Sequence, residues 1–268
     1  MTGRRDQGTQ PTGRVIFVSA GPGAADLITL RGARALALAD VVLADALADP
    51  ALRDLAPQAS WLSVGKRGFE HSAKQTEINA LLVKAAREHA VVVRLKGGDA
   101  SIFGRLEEEL AALAVAGIAS EVVPGVTAAL AAAAQAQRPL TRRGRGRSVS
   151  LTTAMNEQGE LRAARSADTE VFYMAGRQLP ALMRQLLAAG WPADTPVLVV
   201  SRAGCADAIT SEHALAGLGA AALLHRGRPT VVTVGTGAAA VQAQDKPLPS
   251  PKIAVSPEEA PLTPQSCP

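Results

Sequence analysis

The sequence predicts an α/β protein made of two α/β units. Three observations carry this prediction. Runs of β-branched residues alternate with helix-periodic segments over most of the chain. The alternation is broken once, by a glycine- and arginine-rich stretch near residues 136–146. Glycine, proline and acidic residues recur just after the predicted strands.

In the first unit, strands are predicted near 14–19, 41–43, 61–64, 91–95 and 121–123. Helices fill the gaps. Thr29 is placed to cap one running to about Ala39, and Thr76 to cap one in which Ile78, Leu81, Leu82 and Ala85 share a face. Leu106, Leu110 and Leu113 mark a third helix, stopped by Gly117, and an alanine-rich helix begins at Thr127. Strand–helix alternation of this kind argues for a parallel sheet. The second unit has strands near 148–153, 170–174, 196–201 and 229–234 and a helix over about 179–189 that ends at Gly190. Its strand directions are not legible from pattern alone. The expected division is a polar tail over 1–13, units over 14–136 and 137–245, and a proline-rich tail over 246–268.

Composition narrows the function classes. A chain of 268 residues with 47% hydrophobic residues can bury a substantial core. It has no apolar run near the roughly 20 residues a bilayer span needs, and its first residues lack the apolar core of a secretory signal, so a cytoplasmic protein without membrane contact is expected. Cys205 and Cys267 are far apart, and His71, His89, His213 and His225 show no ligand spacing, so no metal is expected. Basic residues exceed acidic ones by only 28 to 24 and aromatics make up 3%, which speaks against a nucleic-acid partner. Arg138, Arg142, Arg143, Arg145 and Arg147 are nevertheless concentrated in one stretch, which suits either a solvated hinge or an anion-binding lip.

Ligands of an open parallel sheet bind beyond the carboxyl ends of its strands, where loops and helix N-termini meet. Five loops map to that edge: Gly21-Pro22-Gly23, Asp45, Gly65-Lys66-Arg67, Gly97-Gly98-Asp99 and Pro124-Gly125-Val126-Thr127. One binding site explains them together. The turn at Gly97-Gly98-Asp99 lets a ligand approach the main chain and offers a carboxylate to ribose hydroxyls. GPGAAD lacks the third glycine of a dinucleotide fingerprint, and no GxxxxGK[ST] stretch is present. A nucleoside without phosphates fits better than a nicotinamide dinucleotide or a nucleoside triphosphate.

GPGAADLITLRGARAL, DVVLAD, VGKR followed by HSAKQTEINALL, VVRLKGGDASIFGR, VVPGVTAA, RPLTRRGRGRSV and VFYMAGRQL, in this order, resemble the uroporphyrinogen-III C-methyltransferases of the tetrapyrrole methylase superfamily. The resemblance covers about residues 14–240. It implies two α/β domains, an N-terminal parallel sheet and a C-terminal mixed sheet, with S-adenosyl-L-methionine in the cleft between them. It also implies a homodimer that methylates uroporphyrinogen III twice, giving precorrin-2 for sirohaem or cobalamin and releasing S-adenosyl-L-homocysteine. The family's cofactor contacts fall on Pro22, Gly97, Gly98, Asp99, Ile102, Thr127, Ala128, Met174 and Ala203. Its proton acceptor falls on Asp45 and its proton donor on Lys66. The octacarboxylate substrate gives the arginine cluster a partner, Arg143 and Arg147 above all.

Several positions depart from the family's usual pattern: Ala44 and Ala46 flanking Asp45, Ala100 and Ser101 after GGD, Leu106 and Glu107 after FGR, and Thr153-Ala154-Met155. They bear on substrate choice and rate more than on the cofactor site. The alternative readings are another methyltransferase of the superfamily acting on a corrin-ring precursor, and a tetrapyrrole-binding protein without turnover.

Overall fold

The computed structural model describes residues 13–65, 75–154 and 163–241. Both expected tails, apart from Gly13, lie outside these residues, as do Lys66, Arg67, His71 and Met155.

The first sheet contains β1 (Arg14–Ser19), β2 (Val41–Ala44), β3 (Ser60–Ser63), β4 (Val91–Lys96) and β5 (Ala119–Val123), all parallel, in the order β3-β2-β4-β1-β5. Helices cover both faces, which is why β1 and β4 read as near-continuous apolar runs. On one face Phe17, Leu43, Leu82 and Leu113 pack with α2 (Gln75–Glu88) and α3 (Leu106–Val115). On the other, Val18, Leu36, Leu52 and Leu95 pack with α1 (Leu30–Ala37) and a 3₁₀ helix at Pro50–Leu55. With every strand pointing the same way, all five carboxyl ends reach one rim.

Local signals account for the helix ends. The Thr29 hydroxyl accepts from the Gly32 amide at 3.1 Å and caps α1. Thr76 does not cap α2. The backbone is already helical at Gln75, so Thr76 sits within the helix, whose apolar spacing marked its buried face but not its first residue. Gly117 takes φ +68° just beyond α3.

In the second half, α4 (Ala128–Gln135) is followed by β6 (Val149–Thr153), β7 (Thr169–Tyr173), α5 (Leu179–Ala188), β8 (Pro196–Ser201), β9 (Ile209–Ala214), α6 (Ala221–Leu224) and β10 (Thr230–Gly235). The sheet is mixed, in the order β6-β7-β10-β8-β9: β6 and β7 are parallel, and the remaining pairings are antiparallel. Leu179, Leu182 and Leu186 of α5 pack with Phe172, Val199 and Val232 on one face. On the other face α4 lays Ala129 and Ala132 against Val171, Leu198 and Val231. Sequence order places α4 with the first unit, but its small side chains seat it on the second sheet. The edge strand β9 was not predicted, because ITSEHA interleaves polar residues and offers no apolar run.

Candidate active site

The rim loops of the first sheet are knotted together by their own backbone. Gly21 and Gly98 exchange two hydrogen bonds, 3.1 Å and 2.7 Å long. Asp99 places Oδ1 on the Ser101 amide and Oδ2 on the Gly125 amide, both at 2.8 Å, so its carboxylate ties the fourth loop to the fifth. The buried Ser19 hydroxyl accepts from Ala100 and donates to the Val123 carbonyl. Glycine is required at two of these points. Gly98 adopts φ +68°, and a Cβ on Gly125 would stand 2.5 Å from the Ser19 Cβ. The first wall is therefore fixed before any ligand arrives.

Opposite it, the second sheet contributes the ends of β7 and β8 and the start of β10. All nine residues onto which the family's cofactor contacts map, from Pro22 to Ala203, line one cleft of about 230 Å³ between the two walls. Ile102, Ala128, Val200 and Val231 make its apolar surface, and Asp99, Thr127 and Tyr173 supply polar atoms. The Thr127 hydroxyl, expected at a helix N-terminus, makes no cap bond but lies 2.7 Å from the Tyr173 hydroxyl. Burial pushes the Tyr173 phenol upward, against the pull of Thr127, which keeps it a neutral hydrogen-bonding group. Phe103 meets the Tyr173 ring edge-on at 5.1 Å.

Backbone strain gathers at the same place. Phe103, Met174 and Arg202 have φ of 52°, 57° and 52°, and all three line the cleft. Left-handed backbone costs a non-glycine residue about 1–2 kcal/mol. Its concentration here is the signature of a site that holds side chains where packing alone would not.

Asp45 follows β2, beside Ala46 and Leu47, which line the mouth of the cleft. Its carboxylate is 2.6 Å from the Arg94 guanidinium and 3.4 Å from the Gly97 amide, with 30% of the side chain exposed. Lys66, its expected partner in proton transfer, lies outside the described residues.

The cleft opens into a wider cavity of about 870 Å³, where Arg177, Arg202 and Arg228 stand on the second wall. Arg202 and Arg228 both reach Asp207, at 2.7 Å and 3.1 Å, and hold its carboxyl below the usual range. Behind Arg228, whose Nε is 3.1 Å from the Ser201 hydroxyl, a polar chain passes from Ser201 through the buried His225 to Ser211 and His213 of β9, each of these further contacts 2.8–2.9 Å. Desolvation, with the charges of His213 and Arg228, pushes the His225 imidazole below its ordinary value. Sequence reasoning missed these arginines because they come from three separate loops, and no local spacing links them.

Arg143 and Arg147 do not line the cleft. They belong to the turn before β6, and the Arg147 amide donates to Asp168 at 2.9 Å. β6 runs parallel to β7, whose end carries Tyr173, so the turn lies at the opposite edge, roughly 20 Å away at the usual rise per residue.

A narrow, largely apolar slot with glycine-walled backbone, one carboxylate and a few hydroxyl groups suits a nucleoside with an amino-acid tail. The family model of tetrapyrrole (corrin/porphyrin) methylases matches residues 14–219. The uroporphyrinogen-III C-methyltransferase of a Synechocystis species is 42% identical over 203 residues, covering 73% of this chain and 77% of that one. A siroheme synthase of Baumannia cicadellinicola is 46% identical over 204 residues, and there the chain spans only 44% of the relative's length. Among solved structures, uroporphyrin-III C-methyltransferase of Thermus thermophilus complexed with S-adenyl homocysteine superposes with a TM-score of 0.74 at 36% identity, covering 83% of this chain and 97% of the other. The chain belongs to the tetrapyrrole (corrin/porphyrin) methylase family.

Proposed function

We propose that the chain is an S-adenosyl-L-methionine-dependent C-methyltransferase that converts uroporphyrinogen III to precorrin-2 by two successive transfers. It would act in the cytoplasm, as a homodimer, without a metal. The observation that carries this reading is the one cleft in which all nine cofactor-contact positions meet. The cofactor supplies an activated methyl group and departs as a neutral thioether, so no metal or covalent nucleophile is required of the protein. The chain's part is positioning, which is worth roughly 7–11 kcal/mol when reacting groups are well oriented. Gly97, Gly98 and Asp99 shape the slot, Met174 and Ile102 flank it, and the Thr127–Tyr173 pair adds two hydroxyl groups to its lining. Asp45, next to Ala46 and Leu47 at the mouth, serves the positive charge that develops on the alkylated macrocycle, as a proton acceptor or by electrostatic stabilisation. Lys66 is the proposed proton donor.

The substrate's carboxylates need cations. Arg177, Arg202 and Arg228 stand in the adjoining cavity of this chain. Arg143 and Arg147 would act only from a second copy. Leu130 of α4, Leu151 of β6 and Val241 beyond β10 are exposed and line one apolar face with Leu140 and Thr141, which lead into this arginine turn, and such a copy can seat on it. Replacing Arg143 and Arg147 together by glutamine should then raise KM for the porphyrinogen severalfold; an unchanged KM would leave the turn as a solvated hinge.

Calorimetric titration with S-adenosylhomocysteine tests the cofactor site. Micromolar binding to the native protein, weakened at least tenfold by Met174→Asp, is expected. Equal affinity in both proteins would assign Met174 to packing and count against the slot.

A further inference from the structure

Beneath Asp45 lies a cluster of charges that neither the proposed function nor the family match assigns to any role. Arg94 and Lys96, on β4, and Glu109, on α3, are 2%, 2% and 0% exposed. Arg94 is locked. Its Nε and Nη2 each donate to Glu109 Oε1 at 3.2 Å, and its Nη1 donates to the carbonyls of Leu43 at 3.3 Å and Leu95 at 3.1 Å. The other oxygen of Glu109 accepts from Lys96 at 2.8 Å, and Oε1 also receives the Gln75 amide at 3.2 Å. The Nη2 of Arg94 that reaches Glu109 is also the atom 2.6 Å from Asp45 Oδ1.

Two consequences follow. A guanidinium held by a carboxylate and two strand carbonyls has no rotational freedom left, so the side of it facing Asp45 is fixed in direction. Counting charges, Arg94 and Lys96 exceed Glu109 by one, and Asp45 supplies the balancing anion. An unpaired buried charge is costly, so Asp45 compensates the surplus cation of the cluster. Burial, and then the charge of Arg94, hold Lys96 below its ordinary value, which marks this pocket as poorly solvated.

We propose that Arg94 is a positioning residue. Oriented by Glu109, it fixes the Asp45 carboxylate beside the cleft, and the Asp45–Gly97 contact couples that carboxylate to the cofactor loop. This rests on the methyltransferase reading above. Arg94→Lys keeps the charge but cannot span Glu109, two carbonyls and Asp45 at once. It should lower the rate of methyl transfer at saturating substrates at least tenfold, with KM for the porphyrinogen and affinity for S-adenosylhomocysteine within twofold of native. In an Asp45→Asn background the same change should have no further effect on single-turnover methyl transfer, because residues acting through one another are not additive. An undiminished rate in folded Arg94→Lys, or a full tenfold loss on top of Asp45→Asn, would overturn the proposal. If Arg94→Lys does not fold, Glu109→Gln, which removes the orienting charge, is put through the same cycle with the same criteria. Absence of transfer by the native protein, with S-adenosylhomocysteine still bound, would instead fault the substrate assignment. The comparison is then made on the structure of Arg94→Lys: the Asp45 carboxylate should leave its place beside the Gly97 amide, and a carboxylate still within hydrogen-bond distance of that amide would overturn the proposal.

Discussion

The two walls of the cleft are built on opposite principles. The first-sheet wall is a lattice of loop-to-loop hydrogen bonds, with Gly21 paired to Gly98 and Asp99 bound to Gly125, set above a buried and charge-balanced cluster. The second-sheet wall is wetter and carries two of the cleft's three left-handed non-glycine residues, Met174 and Arg202: Met174 is 55% exposed at φ 57°, and Asp207 is shared by two arginines near the surface. Desolvated charges interact strongly and exposed ones weakly. The first wall is therefore suited to fix geometry, and the second to adapt to a large polyanion.

Substitutions on the first wall should do the most damage. Gly125→Ala brings a Cβ to 2.5 Å from Ser19 and disturbs the Asp99 bridge. It should cost about 1–3 kcal/mol of stability, as overpacking does, and sharply weaken S-adenosylhomocysteine binding. Denaturant melts and calorimetry check both, and a native-like melt would mean that the rim yields more easily than described. Met174→Gly on the second wall should do the reverse for stability, adding about 1 kcal/mol by relieving left-handed strain, while weakening cofactor affinity. Loss of both would remove the case for stored strain.

Smaller effects separate the walls by pH. His225 titrates below its unfolded value, so the unfolded chain binds more protons as pH falls through about 6.5. Its contribution to stability is thus present above that pH and declines below it, and a His225→Phe protein should lose less stability between neutral and mildly acidic pH. Lys96 behaves oppositely in range: its depressed value means that raising the pH from that value toward 10.5 relieves a cost of burial. Lys96→Met should flatten the alkaline part of the stability curve. The smallest change belongs to Asp207→Asn, which should leave thermal stability nearly unaltered because the carboxylate is exposed. A large drop would show the arginine pair to be structural.

The same contrast explains what the sequence made legible. Glycines, prolines and Asp99 lie in short contiguous motifs after parallel strands, so the rim is legible in the sequence itself. The edge strand β9 has no such signal, since its register comes from β8 and not from its own residues. The Arg94–Glu109–Lys96 cluster did leave a trace: two cations two residues apart, on one face of the otherwise apolar VVVRLK, require a buried partner. Glu109, in the first turn of the next helix, is that partner, though only the packing of α3 on the sheet identifies it among Glu107, Glu108 and Glu109. The arginine turn at 142–147 was legible as a cluster, while its distance from the cleft depends on the direction of β6, which pattern does not encode.

The central claim is tested most directly by anaerobic incubation of the purified protein with uroporphyrinogen III and methyl-labelled S-adenosylmethionine, following label and product mass. Two labelled methyl groups on each macrocycle are expected. A product that remains unmethylated while S-adenosylhomocysteine still binds would contradict it and point to another tetrapyrrole or to a binding protein.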